Sequence, residues 1–200
     1  MSRLVDRGAI TAAFVGIGMA VTIVVSFMLF IPIEWIIWIL ALPSGLLIGY
    51  YANQRSDRRA GPWSRILANG LFAGLVTGLT AAVLLLAIKA LFFFADSGYP
   101  DFNRVDEDRN PIPPYCDVGP DCVYQRYLLA GRGPAFVAAG VTDLSSFTGL
   151  YWSEQVGTAG TLVLVTALGG LGGAALYGAF RPKPDATAAA ADVGSAAITR

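Results

Sequence analysis

The chain has 200 residues, 55% of them apolar and 14% charged, with 14 basic side chains balancing 14 acidic ones and no histidine. About a quarter charged is usual for a soluble domain, and 200 residues leave no room for a membrane bundle plus a separate soluble enzyme. The charges are also segregated: none lies in 8–33, 35–54, 66–88 or 156–180. A bilayer core takes about 20 apolar residues in a helix. The fold class expected is therefore an all-α integral membrane protein, a four-transmembrane-helix bundle.

Helix 1 is predicted over about Gly8–Phe30, preceded by Arg3 and Arg7. Its apolar run is longer than the core of a signal peptide and no small-x-small cleavage site follows it, so it reads as a retained span. Pro32 and Glu34 make a tight turn into helix 2, about Trp35–Ala52, with Pro43 as an expected kink. The next connection carries Arg55, Arg58, Arg59 and Arg65 against Asp57. Helix 3 is predicted over about Ile66–Phe94, long enough to tilt or project. Helix 4 is predicted over about Val156–Phe180 and is followed by Arg181 and Lys183. The membrane domain ends near residue 183, and the Ala-rich 184–200 reads as a disordered tail.

Lys and Arg next to spans mark the cytoplasmic side. Every basic connection falls on one side of a four-span layout, while the first turn has no basic residue and the 96–154 segment has nine acidic residues against four arginines. Both termini are thus expected in the cytoplasm of a cell whose plasma membrane holds the chain, with one large extracytoplasmic loop between helices 3 and 4. Aromatic residues sit near the expected boundaries: Trp35, Trp38, Phe92–Phe94, Tyr151 and Trp152 outside, and Tyr50, Tyr51, Trp63, Tyr177 and Phe180 inside.

Small residues recur four apart. They are Ala12, Gly16 and Ala20 in helix 1, Gly45 and Gly49 in helix 2, Gly70, Gly74 and Gly78 in helix 3, and Gly169 and Gly173 in helix 4. Such rows let helix backbones approach closely in lipid, and helix 3 is the expected packing centre. Ionisable groups are nearly absent from the spans. Lys89 is expected to snorkel outward or to pair with Glu34 or Glu154. Asn69, Thr77, Thr22 and Ser26 are the candidates for interhelical hydrogen bonds.

In the outer loop, 96–127 is acidic and proline-rich and contains the two cysteines, Cys116 and Cys122, separated by five residues that include Gly119 and Pro120. A disulfide is expected there, worth about 2–3 kcal/mol in the chain-entropy model. In coarse layout, four helices with a cysteine pair between helices 3 and 4 resembles the bacterial quinone-linked thiol oxidases, and the layout is also similar to that of tetraspanins. The oxidases require a further CxxC between helices 1 and 2, where this chain has Ile31-Pro32-Ile33-Glu34; the tetraspanin CCG motif is absent too. Asp106, Asp108, Asn110 and Asp117 match calcium-loop positions, but Pro111 replaces the glycine that the turn needs. Gly133–Thr142 lacks charge and is too short to span; a short helix on the bundle, in the interface, or serving as a partner-binding surface fits it.

No metal, cofactor or nucleic-acid site is expected, and no catalytic one: Asp143 and Glu154 with Lys89 are the sole acid/base candidates, and no spacing makes them a pair. The expected partners are the lipid bilayer and either another membrane protein or further copies of the chain. The expected role is an accessory, structural or interaction subunit without catalysis. The alternative is a component of an oligomeric channel or transporter.

Overall fold

A computed structural model describes residues 5–30, 34–56, 61–95, 108, 116 and 118–180. Among these residues there are helices, turns and short connections, and no strand. Helix α1 covers Arg7–Val25 and continues as a π-helical turn over Ser26–Phe30. Helix α2 covers Glu34–Gln54 and runs on through Pro43. Helix α3 covers Trp63–Phe94, α4 Pro120–Tyr127, and α5 Gly133–Ala138. Helix α6 covers Leu144–Phe180. Four of these (α1 with its π-helical turn, α2, α3 and α6) are long and apolar enough to cross a membrane.

The fourth long helix therefore begins at Leu144, not at the expected Val156. Glu154 marks a break in the apolar run, but its side chain is exposed on the helix surface and does not interrupt the helix. The actual start is set locally. The Asp143 carboxylate accepts the Ser146 N–H at 2.8 Å, and the Ser146 hydroxyl oxygen accepts the Asp143 N–H at 3.0 Å. This reciprocal pairing is a capping box, which satisfies two backbone donors at once. The resulting 37-residue helix is about 55 Å long, against a hydrocarbon core of about 30 Å, so several of its turns stand clear of any bilayer.

Neighbouring contacts fix the helix directions. Gly70, Gly74 and Gly78 on α3 meet α6 in descending order, near Ala174, Gly170 and Val163 respectively. Leu42, Leu46 and Tyr50 on α2 instead meet α6 in ascending order, at Gly169 and Gly173 and then the Tyr177 ring. Asp6 of α1 bonds to Asn69 of α3, and Gly16 lies against Thr77, so α1 and α3 run alongside in the same sense. The four long helices thus alternate up and down. The start of α1, the end of α2, the start of α3 and the end of α6 gather at one end, called here the terminal end. The opposite end holds α4 and α5 and is called the cap end. Both α2 and α3 pack on all of the other three long helices, and α6 wedges between these two.

The long helices have no polar face. Phe14 is 71% exposed and Val83 63% exposed at mid-length, and Leu47 and Leu164 also point outward. The interior, by contrast, is built from small residues such as Ala9, Ala12, Ala73 and Ala174. Large apolar side chains outside and small ones at the contacts is the pattern of helices solvated by lipid.

Candidate functional site

Three polar features lie along the bundle axis, and each is placed by particular elements. At the terminal end, Asp6 precedes α1 but does not cap it through its side chain. Its carboxylate accepts the Ser56 hydroxyl at 2.7 Å and the Asn69 amide at 3.3 Å, while its backbone N–H donates to Asn69 Oδ1 at 3.1 Å. Asn69 also donates to Asn53 Oδ1 at 3.3 Å, and Asn53 donates to the carbonyls of Gly49 and Ile66. Asn53, Ser56 and Asn69 are all buried. One network therefore ties α1, α2 and α3 together. Of the four side chains, only Asn69 is legible from sequence as an interhelical group.

At mid-length a void of about 20 Å³ lies beside Ser44, Thr77 and Thr166, room for about one water. The Thr77 and Thr166 hydroxyls donate to the carbonyls of Ala73 and Leu162 in their own helices, at 2.9 and 2.8 Å. Thr22 does the same toward Gly18. The interhelical bonds expected of Thr22 and Thr77 are thus replaced by bonds within the helix, because a carbonyl four residues back is always in reach of a helical threonine.

Beneath the cap lies a larger cavity, about 230 Å³. Lys89, Tyr127, Gln155 and Thr158 form its polar wall; Met28, Ile37, Trp38 and Leu85 form the apolar one. Lys89 thus faces a cavity shared with Gln155, the neighbour of the exposed Glu154.

The cap itself is an aromatic core. Phe93, at the end of α3, stacks on Tyr151 at 4.5 Å and meets Trp152 edge-on at 5.5 Å. Phe147 lies 4.8 Å from Tyr124 of α4 and 5.3 Å from Phe136 of α5. Each such pair adds about 0.5–1.5 kcal/mol beyond its buried area, so α4 and α5 are held to α6, whose first turns pack on the end of α3. Cys116 and Cys122 form a disulfide with Cα atoms 5.4 Å apart. Gly119, at φ 114°, takes a backbone conformation that a side chain disfavours and turns the chain into α4, whose first residue is Pro120. The Arg126 Nε–H donates to Cys116 Sγ at 3.5 Å, and burial pulls the guanidinium pKa below its ordinary value.

The acid/base candidates do not converge. Asp143 and Glu154 are eleven positions apart on a continuous helical path, about 16 Å along its axis. Asp143 is committed to the capping box. Hydrogen bonds from the Ser146 backbone and then from its hydroxyl hold that carboxyl below the usual carboxylate range. A depressed folded pKa means that the stabilising interaction is fully present above the unfolded value and is lost as pH falls through the folded one. Acidification below the usual Asp range, about 3.9, should therefore release the first turn of α6. Hydrogen exchange at the Ser146 amide should be slower in the wild type than in Asp143→Ala at neutral pH, with the difference vanishing in acid. A difference that persists unchanged in acid would contradict the assignment.

Among the described residues no three His, Cys, Asp or Glu side chains gather as metal ligands. Of the calcium-loop positions only Asp108 is described, and Asp106, Asn110 and Asp117 lie outside the described residues. Of the basic residues read for orientation, Arg55 donates to the Tyr51 hydroxyl at 3.0 Å and Arg65 sits in the first turn of α3. Arg58, Arg59, Arg181, Lys183 and the 184–200 tail lie outside the described residues. Gly45, Gly49, Gly169 and Gly173 lie where α2 meets α6, and Gly70, Gly74 and Gly78 where α3 meets α6. Sequence spacing does not single out Gly170, whose backbone touches both partners.

The architecture is that of a helical bundle with four candidate membrane spans and a disulfide-clipped cap. No family model, curated protein or solved structure matches the chain.

Proposed function

We propose that the chain is a multi-pass plasma-membrane protein that works without catalysis, as an accessory or structural subunit recognised through its cap. In this reading both termini are cytoplasmic, the cap is extracytoplasmic, and the glycine contacts between α2, α3 and α6 supply close packing where lipid offers no hydrophobic driving force. The observation that carries the reading is the cap. Its aromatic core joins α4 and α5 rigidly to the ends of two long helices, while the acid/base groups around it stay apart. A rigid surface without converging reactive groups is suited to recognition. The side chains of Asp121 and Gln125, exposed on α4 and bonded to each other at 2.7 Å, form the polar part of that surface.

The test is native mass spectrometry of the protein extracted in mild detergent with its disulfide intact. A stoichiometric partner that is lost from Asp121→Lys, while the variant keeps its thermal stability, supports the reading. The cavity lined by Lys89, Gln155 and Thr158 favours a second one, a component of an oligomeric channel or transporter. A partner-free homo-oligomer that carries ion flux in liposomes would replace the first reading with the second.

A further inference from the structure

Between Cys122 and Thr142 the outer segment changes character. The chain from Asp96 to Asp121 has seven acidic residues, whereas 122–142 has none, and its charged side chains are Arg126 and Arg132. Within this stretch Leu129 is 68% exposed and Val137 76% exposed, and Leu128 is exposed beside them. Neighbouring residues place both sites. Tyr127, which directly precedes Leu128, lines the same cavity as Trp38 and Lys89, so the stretch starts level with the cap-end turns of α2 and α3. Phe136, next to Val137, has its ring 5.9 Å from that of Tyr127. Arg132 holds its guanidinium over the Tyr127 ring at 5.7 Å.

We propose that Leu128–Val137 is a membrane-interface anchor, its exposed Leu128, Leu129 and Val137 side chains entering the leaflet at the cap end. The inference rests on the reading of the long helices as bilayer spans and adds to it a second, monotopic contact. Three observations select lipid as the occupant. Leu128 and Leu129 directly follow Tyr127, which lines the cavity shared with Trp38, so these exposed side chains stand near the level where hydrocarbon gives way to headgroups. The segment carries one charge, the cation Arg132, and no anion, as a surface of lipid phosphates favours. Arg132, beside Tyr127, is placed to snorkel to those phosphates while its stem covers apolar surface. Short apolar segments of this composition sink about 5–10 Å into the headgroup and acyl boundary. Anchored in this way, the cap keeps a fixed tilt over the bundle, and the polar Asp121–Gln125 side of α4 is left to the aqueous phase.

Site-directed spin labelling in phosphatidylcholine vesicles tests this directly. Both native cysteines are in the disulfide, so an introduced cysteine is the single free thiol. Leu129→Cys and Val137→Cys are labelled, with Val83→Cys as the mid-span reference and Gln125→Cys as the aqueous one. The expected result is a shift of both cap labels from the water-like to the lipid-like accessibility ratio, with oxygen collisions exceeding those of a polar nickel chelate. If Val83→Cys reads lipid but both cap labels read like Gln125→Cys, the anchor is refuted and the membrane-spanning reading stands. Cap labels shielded from both collision probes indicate a protein-covered surface and also refute it. A water-like Val83→Cys overturns the spanning reading itself, and the anchor with it.

Discussion

Replacing Gly170 with valine should strongly destabilise the bundle. A Cβ at this position meets the Gly70 carbonyl of α3 and comes within 3.0 Å of the Gly74 Cα. The obstacles are backbone atoms, which move only if α3 moves. Retreat toward α2 is blocked as well, since the Gly170 backbone already lies against Gly45 and Gly49. Overpacking a filled contact costs about 1–3 kcal/mol and occasionally more; with backbone on both sides, the upper part of that range is expected. Unfolding by sodium dodecyl sulfate in mixed micelles, followed by circular dichroism, would measure it. Gly157→Val is the control, because nothing lies within 4 Å of its would-be Cβ, and its effect should stay within about 0.5 kcal/mol. Equal effects at the two positions would mean that α6 does not pack as described.

The second large effect is expected from Asn69→Leu. Asn69 is 1% exposed and serves three partners: the Asp6 backbone N–H, the Asp6 carboxylate and Asn53 Oδ1. Leucine keeps the branching and number of side-chain heavy atoms but leaves those groups short of a partner. A buried polar group stripped of its hydrogen bond costs about 1–3 kcal/mol, more when it is charged. The loss should be local, loosening the start of α1 from α2 and α3. Hydrogen exchange across residues 6–13 should therefore accelerate, while the cap peptides around Phe147 stay protected. Uniform acceleration along the chain would instead place this network at the centre of global stability.

These two sites differ in how far the amino-acid pattern reveals them. The four long apolar runs are plain because the requirement they meet is one-dimensional: a length of uncharged residues. The disulfide follows from two cysteines six positions apart with a turn between them. Asn69 stands out as a polar residue within an apolar run, but nothing in the order of residues tells that Asp6, Asn53 and Ser56 converge on it. Asp6 and Ser56 are ordinary residues at helix ends, and only the antiparallel return of α2 beside α1 brings them together.

The start of α6 shows the opposite case, a signal present in the sequence but outranked by another. Asp143-Leu144-Ser145-Ser146 contains a capping box, yet the charge at Glu154 suggests a later boundary when helices are read from apolar runs alone. A helix tolerates charge on an exposed side, so apolarity marks the candidate span and the cap marks the helix. The same distinction explains the outer segment. Tyr124, Tyr127, Phe136 and Phe147 look like scattered aromatics along the chain, and folding α4 and α5 back onto α6 gathers them into one core.

Sequence alone determined the class of elements, because both the apolar length of a span and the chemistry of a disulfide are local properties. Tertiary structure decided which faces meet. On α6, Gly169 and Gly173 turn to α2, while the Gly170 and Ala174 faces meet α3. Glycine spacing cannot assign these faces, since successive helical residues point about 100° apart and two adjacent faces carry small residues equally well. The assignment arises from the three-dimensional fit of α6 between two backbones, where each helix occupies the groove that its partners leave open.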